Sequence, residues 1–530
     1  MSDPIIFQEV AVQKPNRSFF DISNHMKFSC DPGYLIPVNV LECLPGDSFK
    51  IGVQSLIRFS PLISPLMDNV KAMFYSFYVP NRILWDQFEH AMTMTADDNT
   101  GNAPVFPYLQ LADGNLPESS LADYLGLPQD TLGGGGTIKV SPFPFAAYQR
   151  IYYDYFMYRN DLPGDLTPDP GRGTKLVSGN NTGYYAALSI LRKKGWNHDY
   201  FTSALTMSQI GAIVEVPLGD VYLKNNWHSV GGAEPKFVDN ADTFATGPIQ
   251  NLASIYSPGN GDGISQTNAP SVPMAYDPDG SLTTTPITIN ELRRVEHLQE
   301  FLELMARGGN RFTEMIKNFF NTDTGDARVQ RAEYIGGTTT PVQISEVLNT
   351  TGLDGQLPQG NMSGHAAAAI NGYMGNYHVK EHGYIITLMC VLPDTSYQQG
   401  VPKHFLRFSA TDYFWRQFEG LGEQAVLNME VCARFTSGGV DLDEWGYQPR
   451  HSEYKYINNR VAGLFKSSLK NWHWGRIFTT FPTLSPEFVE ANPRTDIYAV
   501  TSGTNNKLWC HVANIVKVSR PMRKFTIPHI

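Results

Sequence analysis

The segment VKAMFYSFYVP at residues 70–80 is apolar at nearly every position. A strand with one face in water alternates, so a run without alternation reads as a strand covered on both faces. It follows two other strand-like segments, Tyr34–Leu41 and Ser48–Phe59, before any helix signal. All three are rich in β-branched and aromatic residues and are bounded by Pro-Gly, Ser-Pro and Pro-Asn turn signals. The strand pattern returns from Gly383 onward, most clearly in GYIITLMCVL and KLWCHVANIVKVSR, and no internal repeat is present. Layered strands of this kind build a sandwich or a jelly roll, and the pattern alone does not choose between them.

Helices are the minority. Thr288 to Glu291 reads as a capping box, in which the Thr hydroxyl and the Glu carboxylate each satisfy an orphan amide. Leu292, Val295, Leu298, Phe301, Leu302 and Met305 then follow at spacings of three and four, which predicts an amphipathic helix ended by Gly308-Gly309. A shorter helix is expected over Phe312, Met315, Ile316 and Phe319, and the aromatic stretch Ala147–Tyr158 is compatible with another. Between Thr95 and Val140 the chain turns to Asn, Asp, Gly and Pro. From Asp220 to Thr285 it does so again, with GNGDG at Gly259–Gly263. The second stretch reads as an inserted surface excursion. It divides the chain into residues 1–219, an insertion over 220–285, and residues 286–530.

Charged residues are only 17% of the chain, while 46 Gly and 35 Pro point to long loops. The net charge of −10 argues against a protein that coats nucleic acid over its whole surface and leaves room for a local basic face. Five scattered cysteines without a CxxC pair suggest neither a disulfide framework nor a zinc site, and they read as reduced thiols of a cytoplasmic assembly product. The stretch MSDPIIFQEV has no secretory signal pattern. The longest strongly apolar run, Tyr384–Leu392, is far short of the roughly 20 residues that cross a bilayer. A soluble chain without membrane insertion is expected.

Motifs for chemistry are missing. The run Gly133–Gly136 is followed by Thr137-Ile138-Lys139, which does not complete a P-loop. His378 and His382 are four apart but precede a strand, and His473 lies between two tryptophans. Neither set has the further ligands of a metal site, so all three read as structural. GxSxG does not occur, since in Gly360–Gly364 the serine stands one place late. No catalytic, cofactor or metal residue is therefore assigned. Two basic stretches are candidates for nucleic acid. Arg192, Lys193 and Lys194 precede Trp196, His198, Tyr200 and Phe201, a mixture suited to phosphate contact with base stacking; a solvated turn before a core segment is the plainer reading. Lys517, Arg520, Arg523 and Lys524 with Phe525 form a basic terminus that Pro521 and Pro528 should keep extended, as an arm on a neighbouring subunit or as a DNA contact.

Several blocks resemble one family in order over about four-fifths of the chain. They include RSFFDISNHMKFSCDPGYLIPVNVLECLPGDSFKI, KGWNHDYFTSAL at Lys194–Leu205, ARGGNRFTEMIKNFF at Ala306–Phe320, EHGYIITLMCVLPDTSYQQG at Glu381–Gly400, EWGYQPRHSEYKY at Glu444–Tyr456 and the terminal RPMRKFTIPHI. These resemble the major capsid proteins of the Microviridae, small single-stranded DNA phages, in their gokushovirus branch. The resemblance implies an eight-stranded antiparallel viral jelly roll with long loop insertions and a few short helices. It implies self-assembly as a T=1 icosahedral shell around circular single-stranded DNA, put together in the bacterial cytoplasm. The implied partners are a small DNA-binding protein, a scaffolding protein and a host cell-surface receptor, the last met by the 220–285 insertion as a threefold protrusion. Two other classes fit a loop-rich β chain: a β-sandwich adhesin or glycan-binding protein acting as a small oligomer, and a glycoside hydrolase, which needs two carboxylates facing across a cleft.

Overall fold

The computed structural model describes residues 16–93, 104–112, 114, 116–129, 135–157, 175–209, 221–223, 282–284, 288–308, 319, 331–348, 350, 362–420, 422–435, 440–500 and 505–525. The strands in chain order are β1 (Ser18–Asp21), β2 (Asn24–Cys30), β3 (Ile36–Cys43), β4 (Ser48–Phe59), β5 (Val70–Pro80), β6 (Leu109–Ala112), β7 (Thr137–Val140), β8 (Val221–Leu223), β9 (Leu282–Thr284), β10 (Glu333–Pro341), β11 (Gln343–Leu348), β12 (Met362–His378), β13 (Gly383–Pro393), β14 (Glu423–Leu427), β15 (Glu444–Pro449) and β16 (Leu508–Arg520). The protein is mainly β, with antiparallel sheets and short helices.

Two sheets dominate. One has six strands in the order β1-β16-β4-β12-β11, with β2 also paired to β16, and the other has four in the order β10-β5-β13-β3. The five strand segments expected from the sequence are all present, with ends shifted by at most two residues. A core joins the two sheets: Phe49, Ile51, Val53, Ile57 and Phe59 of β4 and Val512, Val516 and Val518 of β16 pack with Ile36 and Val38 of β3, Phe74 of β5 and Ile385, Met389 and Val391 of β13. The opposite face of the four-stranded sheet, with Met73, Phe77, Val79, Ile386, Leu388 and Leu392, is covered by the helix Phe143–Ile151 and by Trp85, Leu109 and Leu111. That second layer is the reason the apolar run of β5 shows no alternation. By contrast β4 alternates, buried on one side and open on the other, as a half-solvated antiparallel strand must.

The chain divides into two compact units, residues 1–208 with 305–530, and residues 209–304. Within the second, β8 pairs antiparallel with β9. The helix Ile289–Gly308 begins at the expected capping box: the Thr288 amide and hydroxyl both donate to the Glu291 carboxylate at 3.0 Å, and the Glu291 amide donates back to the Thr288 hydroxyl at 3.2 Å. The expected helix over Phe312–Phe319 lies outside the described residues except for Phe319. The aromatic stretch after Ala147 is helical to Ile151 and then widens into a π turn over Tyr152–Phe156.

Candidate functional site

The apolar strand β13 runs into the turn LPDTSYQQG, and there the chain builds a buried polar knot. Asp199 is its centre. One carboxylate oxygen accepts from the amides of Phe201 (2.9 Å) and Thr202 (2.7 Å), and the other from the hydroxyls of Thr395 and Tyr397, both at 2.7 Å. A buried carboxylate is tolerated only with such partners, because burial without them costs several kcal/mol. Next to it Asp394 accepts from Asn69 (2.6 Å) and Asn197 (3.1 Å) and pairs with Lys71 at 3.0 Å. The Arg476 guanidinium lies over the rings of Phe488 at 3.9 Å and Trp196 at 5.5 Å. Tyr200, Phe201, Tyr397, Val426, Val431, Trp445 and Phe488 close a small separate core around this point. The knot thus fastens Lys194–Leu205 and the loops after β13 to the end of the four-stranded sheet. Local sequence reasoning gives no pointer to it, since Asp199 and its hydroxyl donors are nearly 200 positions apart.

The first basic candidate is bound into the same framework. Arg192 donates to Gln149 Oε1 at 2.8 Å and to the Tyr153 hydroxyl at 2.9 Å, and its guanidinium lies over the rings of Tyr152 and Tyr153. Lys193 reaches Asn492 at 3.0 Å and lies over the Tyr34 ring. Lys194 donates to Asn197 at 3.2 Å, and burial pulls its ammonium below the usual lysine range. Trp196 is only 5% exposed. Backbone bonds from Lys194 to Gly33 and from Ala491 to Lys194 hold the DPGYL step against this segment. Gly33 has φ +93°, and a Cβ there would lie 2.7 Å from the Ala491 carbonyl, so only glycine fits. The structure therefore brings Arg192, Lys193, Lys194 and Trp196 together as a tie between segments, with Lys193 the one tethered nearest the surface.

At the other end, Lys517 and Arg520 belong to β16 rather than to a free extended arm. Arg520 pairs with buried Asp47 at 3.1 Å, clamping the LPGD turn. Arg523, Lys524 and Phe525 continue past the strand in exposed positions. His473 is buried and satisfied, with Nε2 against the Phe465 carbonyl at 2.8 Å and Nδ1 accepting from the Gly475 amide at 2.9 Å. His378 meets the Ser48 hydroxyl at 2.9 Å, and His382 packs edge-on against Phe88. Among the described residues no three His, Cys, Asp or Glu side chains are grouped as a metal site, and no helix is long and apolar enough to cross a membrane.

What the framework does expose is aromatic. Around Arg407, which stacks on Tyr413 and Tyr454, lie Phe414 at 46% exposure, Trp415 at 52% and Phe408 at 85%. Large rings held in water by an ordered loop scaffold are the mark of a surface built to be covered by another molecule. Residues 8–530 match the family model described as Capsid protein (F protein). The chain belongs to this phage capsid protein family. It is 31% identical to capsid protein VP1 of Chlamydia phage 1 over 98% of this chain and 97% of that one. To VP1 of Bdellovibrio phage phiMH2K it is 32% identical over 92% and 90%, and to VP1 of Spiroplasma virus 4 it is 30% identical over 86% and 84%. These are gokushovirus-type Microviridae proteins, as the sequence blocks indicate. The capsid protein is thus a structural component of the virion, and its exposed rings belong to a subunit of a self-assembling shell.

Proposed function

We propose that this capsid protein is the repeating subunit of a T=1 icosahedral shell enclosing circular single-stranded DNA, built on an eight-stranded jelly roll, and that its role is architectural rather than catalytic. The observation that carries this reading is the strand order. Counting β2, β3, β4, β5, β10, β12, β13 and β16 as strands one to eight, one sheet runs 1-8-3-6 and the other 2-7-4-5. That order fits the double Greek key proposed here for a jelly roll, with β1 added beside β2 on β16 and β11 added on β12 at the opposite edge. The exposed rings around Arg407 supply neutral contact surface of the kind that one symmetric interface repeats through a shell.

The 220–285 insertion is proposed as a surface protrusion at the threefold axes that meets the host receptor. A small DNA-binding protein and a scaffolding protein are proposed as assembly partners in the bacterial cytoplasm. Of the basic residues put forward from the sequence, Lys193, Arg523 and Lys524 are the ones open to a phosphate contact, while Arg192, Lys194 and Trp196 would act by holding the segment in shape. Sedimentation followed by electron microscopy of the expressed chain tests the shell. Uniform icosahedral particles of megadalton size are expected, and a monodisperse small oligomer under several assembly conditions, phage partner proteins included, would overturn it. Replacing Val221–Leu282 by a short Gly/Ser linker should leave shells largely intact and reduce host attachment, and loss of shells would overturn the insertion's independence from assembly.

A further inference from the structure

We infer that the solvent-facing side of the six-stranded sheet is the surface that holds single-stranded nucleic acid. This rests on the reading above that the shell encloses such a genome, and it names the face that meets it. In a chain with 51 acidic residues and a net charge of −10, the strands β2, β4, β12 and β16 contain no Asp or Glu at all. The alternation of these strands puts Lys27, Lys50, Arg58 and Lys517 on the outward side, all exposed. Asp21 of β1, in register with Lys517, is the acid at the margin, and Glu346 of β11 falls on the opposite parity from this face.

Registers across the sheet arrange the face in rows. Trp509 lies beside Ser29 and Arg58, and His511 beside Lys27 and Leu56. Ala513 lies beside His25 and Gln54, and Gln54 beside Asn371, to which it donates at 3.3 Å. Tyr373 then stands next to Gly52, and Lys517 next to Lys50. Trp509 is 50% exposed and Tyr373 56%, the latter with the Lys50 ammonium 5.7 Å from its ring centre. The His25 and His511 rings stack at 5.4 Å, nearly parallel. Ala367, Ala369, Ala513 and Gly52 leave the middle low between these side chains. From Trp509 to Lys517 the platform spans about 27 Å at ~3.4 Å per residue, and about 14 Å across four strands. Cations for phosphates, open rings for bases and amides for base edges, without acids among them, are what a single strand requires and a protein partner does not.

The test uses the unassembled full-length subunit and a fluorescent 30-residue oligothymidylate, followed by anisotropy over a salt series. Neutralising the face as K27Q/K50Q/R58Q/K517Q should weaken binding on the order of 100-fold at ~0.1 M salt and flatten the slope of log affinity against log salt by up to about 3. W509A and Y373A should each weaken binding about tenfold with little change in slope. The control K455Q/R460Q/K466Q/K470Q removes the same charge from exposed positions elsewhere and should leave affinity within about twofold. Equal losses in the control and the face variant, or unchanged binding by the face variant, would overturn the assignment while leaving the shell standing. Unchanged oligonucleotide binding together with lost particles in electron microscopy would give the face to a second copy of the chain instead. Wild-type subunits that bind no oligonucleotide, and whose assembled particles hold no nucleic acid, would overturn the genome-enclosing reading itself.

Discussion

The two large sheets are made from the same backbone ladder, yet the central strands of one, β5 and β13, are buried on both sides, while β4 and β16 of the other are buried on one. In β5 and β13 the residues facing the partner sheet and those facing the helix Phe143–Ile151 are equally apolar, so the two-residue period vanishes. In β4 and β16 the period survives, and its outward phase carries Lys50, Arg58, Trp509 and Lys517. The comparison teaches that in this capsid protein the four-stranded sheet is the interior of the subunit, while the six-stranded sheet is both a core wall and a working surface. A substitution should therefore cost stability at almost every position of β5 and β13 and only at alternate positions of β4 and β16.

The largest effect should come from the doubly covered sheet. Phe77 is 2% exposed and meets Tyr155, Phe156 and Tyr334, so Phe77→Ala should cost ~4 kcal/mol of unfolding free energy, measured by denaturant titration of the unassembled subunit. A loss below ~1 kcal/mol would break the claim that its second face is core. Asp199 comes next. Asp199→Ala strands two buried hydroxyls and two amides and should cost ~3 kcal/mol, with protease cleavage appearing first in the loops that follow Pro393. Ser76 and Thr387 hydrogen-bond to each other at 2.6 Å inside the apolar sheet. Ser76→Ala should cost ~1–2 kcal/mol, and adding Thr387→Val should recover part of that, because the pair then leaves no orphan; strict additivity would contradict a closed pair. The smallest effect belongs to the open face, where Leu56→Ser should change stability by less than ~0.5 kcal/mol despite removing an apolar side chain from a strand.

Much of this contrast is legible in the sequence and some is not. The strands, the missing alternation of β5 and the capping box at Thr288 rest on neighbours a few positions apart, so local patterns report them. The strand pairing is not legible there, since the strand-like segments at the two ends of the chain say nothing of which pair with which. The basic run at Arg192–Lys194 is conspicuous because its charges are adjacent in sequence, yet the fold employs Arg192 and Lys194 internally. The face at Lys27, Lys50, Arg58 and Lys517 is inconspicuous because antiparallel pairing, not adjacency, assembles it. Its trace in the sequence is the absence of acids from four strands, which becomes visible only when strand phase is considered.

The most direct test of the division between the two sheets is cryo-electron microscopy of assembled, genome-containing particles. The outward side of the six-stranded sheet should face the particle interior, with nucleic-acid density over Trp509 and Tyr373, while the four-stranded sheet should stay enclosed within its own subunit. A six-stranded face turned to the outside of the particle, or packed against a neighbouring subunit without nucleic acid, would contradict it.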